Sequence, residues 1–343
     1  MRKLLNTLYV ISKDNYLSLD GENVVVQSGE QKLGRFPLHT LENIVCFSYK
    51  GASPALMGAC SQRNIGLSFF SPQGKFLTRA VGREYGNVLL RKEQYRISDD
   101  KKKSCQYARN MILGKVFNCR WSLERTTRDH SYRVKVDELK KISMELKQYL
   151  DEIRCCTDIE RLRGLEGKTA ASYFSVFDEL IINQKENFFF KERNRRPPLD
   201  NVNALLSFTY TILSNEVANA LESVGLDPYV GFMHRDRPGR QSLALDLMEE
   251  LRGIMADRFV LGLINKKVIN ESHFYQQSDG AVIITDEGKK IFLNAWQMRK
   301  KDIITHPFIK EKIQWGLVPY IQALLLARTI RGDLDEYPPF LWK

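Results

Sequence analysis

The sequence predicts an α+β protein, with a small N-terminal β domain over residues 1–85, a linker over 86–97 and a larger, mostly helical C-terminal domain over 98–343 with an inserted β-hairpin. Three observations predict it. Short apolar runs bounded by turn residues fill roughly the first 80 positions. Helical periodicity with charged faces begins near residue 98 and persists nearly to the end, as in Asp137-Glu-Leu-Lys-Lys-Ile-Ser-Met-Glu-Leu. Inside that helical part, Phe274 to Thr285 reads differently, because Ser278-Asp279-Gly280 precedes Ala-Val-Ile-Ile and suggests a hairpin.

The expected strands are Thr7 to Ile11, Tyr16 to Leu19, Asn23 to Gln27, Asn43 to Phe47, Gly66 to Phe70 and Lys75 to Arg79. Asp20-Gly21 and Gln73-Gly74 are hairpin-turn candidates, since Gly tolerates the positive φ such turns need. Ser53-Pro54 reads as an N-cap followed by Pro at the first helical position, so one helix interrupts the strands. Thr157-Asp-Ile-Glu160 reads as a capping box that opens a helix running through Glu166 to about Phe177. Ser242 is the N-cap candidate of a further helix, whose apolar face is Ala244, Leu247, Met248, Leu251 and Met255. No internal repeat or low-complexity tract interrupts this order.

With 43% hydrophobic and 27% charged residues, the chain can bury a substantial core and is neither disordered nor fibrous in composition. Its 52 Lys and Arg against 41 Asp and Glu leave a net charge of +11, which suits polyanionic partners such as nucleic acid or an acidic membrane surface. A solvated basic surface explains the same excess. The six cysteines show no CxxC spacing, so neither a zinc site nor a disulfide framework is signalled, and reduced thiols in a cytoplasmic protein are expected. No stretch approaches the roughly 20 apolar residues of a membrane span, and no secretory leader is expected at the N-terminus.

Three segments could carry chemistry. On the helix after Thr157, Ile159, Leu162, Glu166, Thr169, Ala170, Tyr173 and Phe177 recur at three- and four-residue intervals, which puts Glu166 inside an apolar stripe. A carboxylate facing the core must be paired, hydrogen-bonded or bound to a cation. An ion pair to an Arg such as Arg161 or Arg163 is one solution and a metal ion is another. Gly164, Gly167, Ala170 and Ala171 reduce the bulk nearby, so a backbone or ligand could approach. In the second segment His234 precedes a helix on which Asp246, Glu249 and Glu250 lie opposite the apolar face. That set suits a divalent cation, Mg²⁺ or Mn²⁺, and equally a solvated acidic face. The third is a basic, proline-containing loop with Arg195 and Arg196, leading into a helix near Asn203; with Arg235, Arg237, Arg240 and Arg252 it offers guanidinium groups to phosphate oxygens.

Taken in order, Leu165-Glu166-Gly-Lys-Thr-Ala-Ala-Ser-Tyr173-Phe174, Arg196-Pro-Pro-Leu-Asp-Asn-Val-Asn203-Ala-Leu-Leu-Ser, and Gly231-Phe-Met-His234 with Ser242-Leu-Ala-Leu-Asp246-Leu-Met-Glu249-Glu250-Leu-Arg252 resemble the CRISPR-associated integrase/endonuclease family that inserts new spacers into CRISPR arrays. The likeness spans nearly the whole chain and is nearest to the type I, subtype C branch. It implies a homodimer, with dimerisation through the N-terminal β domain, a small ferredoxin-like CRISPR-associated partner, and DNA as substrate. It also implies a metal site of a glutamate, a histidine and an aspartate or glutamate, which falls on Glu166, His234 and Glu249, with Asp246 as the alternative third ligand. The implied reaction is transesterification, in which a DNA 3′-hydroxyl attacks a phosphodiester at the repeat boundary while Arg195, Arg196, Arg237, Arg240 and Arg252 bind nucleic acid.

Overall fold

The computed structural model describes residues 5–82 and 87–343. The N-terminal part holds strands β1 (Asn6–Val10), β2 (Asn15–Asp20), β3 (Asn23–Ser28), β4 (Gln31–Pro37) and β5 (Leu41–Cys46), helix α1 (Pro54–Gln62), and strands β6 (Gly66–Phe70) and β7 (Phe76–Ala80). They form two sheets, an antiparallel meander ordered β2-β3-β4 and a mixed sheet ordered β1-β5-β6-β7, parallel except for β6 with β7. Gly21 and Gly74 take φ of +56° and +90° at the two expected turns, and the Ser53 hydroxyl accepts the Leu56 N–H to cap α1. The β4 strand was not expected. Its Gln-Lys-Leu-Gly-Arg-Phe-Pro lies exposed on the rim of the meander, so no burial forces an apolar alternation there.

Side-chain alternation along β5 joins the two parts of the molecule. Ile44 and Cys46 face the core that the sheets share with α1, whereas Val45, with Phe47 just beyond the strand, joins the core of the helices. Phe47 packs on Phe70 and Phe208, and Phe208 packs edge-on against Phe292.

Helices α2 (Val88–Asp99), α3 (Lys101–Asp129), α4 (Val136–Arg154), α5 (Ile159–Ser175), α6 (Asn201–Ser223), α7 (Ser242–Leu251) and α8 (Arg258–Asn265) follow, then the hairpin β8 (Phe274–Gln276) and β9 (Val282–Ile284), α9 (Asp286–Lys300), the short pair β10 (Ile303–Thr305) and β11 (Lys312–Gln314), and α10 (Val318–Arg331). Residues 88–97 of the expected linker are helical: Asn87 caps α2 through the Leu89 and Leu90 N–H groups, and Leu90 and Ile97 are buried. The hairpin sits where expected, with Gly280 at φ +84°.

Two cap readings are corrected. Asp158, not Thr157, caps α5 by accepting the Arg161 N–H at 2.7 Å, and the helix ends at Ser175, with a 3₁₀ turn over Phe177–Leu180. Gln241 precedes α7 without a side-chain cap, while Ser242 is its first residue and is buried. No helix among the described residues is long and apolar enough to cross a membrane.

The long α3 runs through the centre, against α4, α5 and α7. A π-helical turn, Arg252–Asp257, continues α7 into α8. Such a turn inserts a residue into the helical register, so side chains on either side of it can face one site.

Candidate active site

Three helices and one loop meet at a charged cluster. From α5, Glu166 forms an ion pair with Lys115 of α3; from α7, Glu249 Oε2 lies 2.7 Å from the same Lys115 Nζ. The Arg252 guanidinium closes the other side at 2.9 Å from Glu249 Oε1. The Lys115 and Glu249 side chains are only 8% and 3% exposed, while Glu166, at 23%, opens to solvent. A cavity of about 40 Å³, lined in part by Lys115, Glu166, Thr169, Ala170, Arg195 and Arg252, adjoins the cluster. The apolar stripe on α5 is real, with Ile159, Leu162, Thr169 and Tyr173 buried beside Glu166. The partner of Glu166 is Lys115, whereas Arg161 turns to Glu152 and Arg163 to Glu160 and the Met233 carbonyl. Gly164 and Gly167 face open space, so the chain itself brings no backbone against them.

Electrostatics explain how the Glu249 carboxylate stays ionised here. Burial alone would push Glu249 up, but Arg252 and Lys115, with His234, hold it well below the usual carboxylate range. Burial likewise works against the Lys115 charge, and Glu249 and Glu166 more than offset it, so its pKa is raised. Behind Arg252 the Tyr210 ring lies 4.8 Å from the guanidinium, and the Tyr210 hydroxyl donates to Asp257 at 2.6 Å. Burial lifts Asp257 to about 6 despite that hydrogen bond.

The His234 loop is held by Asp246. One carboxylate oxygen accepts the Phe232 and Met233 N–H groups at 2.6 and 2.9 Å; the other accepts the His234 N–H at 3.0 Å and meets His234 Nδ1 at 2.5 Å. Those four contacts fill both oxygens of Asp246. The carboxylate thus orients the histidine and has no lone pair left for a ligand. Gly231 makes this approach possible, because a Cβ there would sit 2.7 Å from Asp246 Oδ2 and 2.8 Å from the Ser242 carbonyl carbon.

The acidic face of α7, for which a solvated surface was one of two readings, is buried, Asp246, Glu249 and Glu250 alike. Glu250 turns away from the cluster: it accepts from the Tyr337 hydroxyl, from Gln322 Nε2 at 2.9 Å and from the Phe340 N–H at 2.8 Å. Burial raises it to about 7 despite these donors. It anchors the C-terminal segment.

Of the basic residues, Arg195, Arg196 and Arg237 are exposed and Arg240 half-buried, with Arg195 at the cavity edge. Arg252 is committed to Glu249 and Tyr210 and faces inward, unlike the others. Lys115 escaped the sequence reading. Its signal was present: Ala108, Met111, Ile112, Val116 and Cys119 form an apolar stripe on α3, and Lys115 interrupts it as Glu166 interrupts the stripe on α5.

Among the described residues no three His, Cys, Asp or Glu side chains converge closely enough to hold a metal ion as they stand. The donor types nevertheless suit a hard divalent cation. Two carboxylates already share one cationic centre, the Lys115 ammonium, and a histidine braced by a carboxylate stands close enough to act on Glu249.

The profile of the family described as CRISPR associated protein Cas1 matches residues 8–298. This chain belongs to the Cas1 family. It is 45% identical over 343 residues, all of both chains, to the "CRISPR-associated endonuclease Cas1 1" of Chlorobaculum tepidum. Among solved structures it resembles a casposase bound to integration product, with TM-score 0.84 at 20% identity over 99% of this chain and 95% of that one. It also resembles a Cas6-RT-Cas1–Cas2 complex chain, with TM-score 0.82 at 21% identity over 100% of this chain and 36% of that one. The likeness to these two structures is one of fold, and it covers 99% and 100% of this chain.

Proposed function

We propose that this chain is a metal-dependent DNA endonuclease and integrase that inserts spacer DNA into CRISPR arrays by transesterification. The observation that carries the reading is the convergence of Glu166 and Glu249 on one cationic centre, beside a histidine whose Nδ1 is engaged by Asp246. Family membership and the identity to a protein named as an endonuclease support it. Glu166, His234 and Glu249 are the proposed metal ligands and catalytic residues, and the filled oxygens of Asp246 favour Glu249 as the third. With Nδ1 engaged, Nε2 is the ring nitrogen left for a ligand.

A bound Mg²⁺ or Mn²⁺ would neutralise charge on the phosphoryl oxygens and on the leaving oxygen. Arg195, Arg196, Arg237 and Arg240 would hold the DNA backbone so that a 3′-hydroxyl lies in line with the target phosphorus. The attacking hydroxyl gives up its proton as its oxygen bonds phosphorus, and the original P–O bond breaks so that the leaving 3′ oxygen takes up a proton in turn. Water in place of the hydroxyl gives cleavage. Cytoplasmic homodimers working with a small ferredoxin-like partner complete the proposal, supported by a structural neighbour that is a complex containing Cas2.

The Lys115–Glu166 ion pair favours one alternative, a non-catalytic DNA-binding protein in which that pair is only structural. Cleavage and strand transfer on branched DNA, measured with Mn²⁺ for the wild type and Glu166→Ala, separate the two. Metal-dependent activity lost in the variant is expected. Tight DNA binding by the wild type without cutting or joining would favour the alternative.

A further inference from the structure

Lys115 is a nearly buried ammonium whose neighbours leave it little freedom. Its Nζ is shared by Glu166 and Glu249, and Glu249 is shared in turn with Arg252. Two carboxylates and two cations make a neutral cluster. A dication added between the glutamates, with both cations kept, would leave a surplus of two positive charges beside the nearly buried Lys115 and Glu249, which is strongly unfavourable. One cation must withdraw. Arg252 is clamped: its planar guanidinium bonds Glu249 and lies over the Tyr210 ring, and Tyr210 is itself bonded to Asp257. Lys115 has a flexible four-carbon stem and borders the cavity that Thr169, Ala170 and Arg195 line.

We propose that Lys115 is a resident counter-cation that holds Glu166 and Glu249 in position for a divalent cation and is expelled into the adjoining cavity when that cation binds. Lys115 is therefore a positioning residue and a competitor for the same two carboxylates. This rests on the metal-site reading above. It accounts for two features together: a lysine in the middle of an apolar helix stripe, and three acidic or histidine side chains of suitable type that do not close into a cage. Without the lysine, the two carboxylates that now share its ammonium would have no cation between them and would repel. With it, they are kept near the geometry a cation requires, at the cost of weaker apparent affinity.

The test uses the intact wild-type protein and Lys115→Met, which keeps length and apolar stem and removes the charge. Calorimetric titration with Mn²⁺ is expected to give tighter binding for Lys115→Met by about tenfold or more, because the competing ammonium is gone. Its melting temperature is expected to fall below wild type in chelator and to recover on adding Mn²⁺. A merely structural ion pair predicts a lowered melting temperature in both conditions and Mn²⁺ affinity that is unchanged or weaker, and that result overturns the proposal. Should the variant not fold, acylation of the wild type decides instead. Lys115 is expected to resist an amine-reactive ester in chelator and to react several-fold faster with saturating Mg²⁺, as read by peptide mass spectrometry. An unchanged rate overturns the proposal. Wild type that binds no Mn²⁺ in the calorimeter overturns the metal-site reading itself, whereas wild type that binds Mn²⁺ without exposing Lys115 overturns only this inference.

Discussion

The Nδ1 atom of His234 lies 2.5 Å from Oδ1 of Asp246, and the same carboxylate accepts the backbone N–H groups of Phe232, Met233 and His234. One side chain thus fixes both the histidine ring and the loop that carries it. Asp246→Asn retains the shape but places an amide N–H where one of these donors points. It is expected to cost about 10–100-fold in Mn²⁺ affinity and in cleavage rate, the usual toll of losing a carboxylate behind a ligating histidine. Calorimetry and a cleavage time course check it, and a variant with wild-type affinity would return Asp246 to a purely structural role.

Gly231 is expected to tolerate no side chain. A Cβ there would meet Asp246 Oδ2 at 2.7 Å and the Ser242 backbone at 2.8 Å, so the loop must move. Gly231→Ala should lower stability by about 1–3 kcal/mol in urea unfolding. It should also slow cleavage, because the displaced loop takes His234 with it.

Arg252 separates from the other arginines by its partners. Removing it strands Glu249 beside Lys115 alone, and Arg252→Met is expected to lose about 3 kcal/mol or more of folding stability. The dependence of DNA affinity on salt should stay as in wild type. Arg237→Ala and Arg240→Ala are expected to do the reverse, lowering the log–log salt slope by about 1 each with little effect on stability. Binding isotherms at several salt concentrations distinguish the two patterns.

Glu250 predicts a pH effect away from the cluster. Its carboxyl is raised from 4.5 to about 7 in the folded protein, so the protonated form favours folding. That contribution is complete below the unfolded value and is lost as pH rises through about 7. Between pH 5 and pH 8 wild type should lose stability relative to Glu250→Gln, by on the order of 3 kcal/mol. Chemical unfolding at the two pH values measures it, and a gap that does not change with pH would contradict the assignment.

What the sequence by itself determined is local. Turn glycines, the Ser53-Pro54 cap and short apolar runs between turn residues located the N-terminal strands other than β4, and period-3.6 stripes located helices and exposed Glu166 as a charge on an apolar face. Strand β4 stayed hidden because a strand exposed on the rim of a sheet needs no alternation. Whether 88–97 was linker or helix was hidden too, since the burial of Leu90 and Ile97 depends on how α2 packs against α3 and α10. The resemblance joined Glu166, His234 and Glu249 as expected ligands, whereas the direction in which the Glu249 and Asp246 side chains turn stayed hidden. Only the tertiary structure decided that: α3 brings Lys115 between two glutamates 83 positions apart in the chain (249 − 166), while the His234 loop folds back onto Asp246 and consumes its oxygens. Periodicity reports which face of a helix is buried. It carries no information on what the neighbouring helix places against that face, and burial of charge is resolved by the partner.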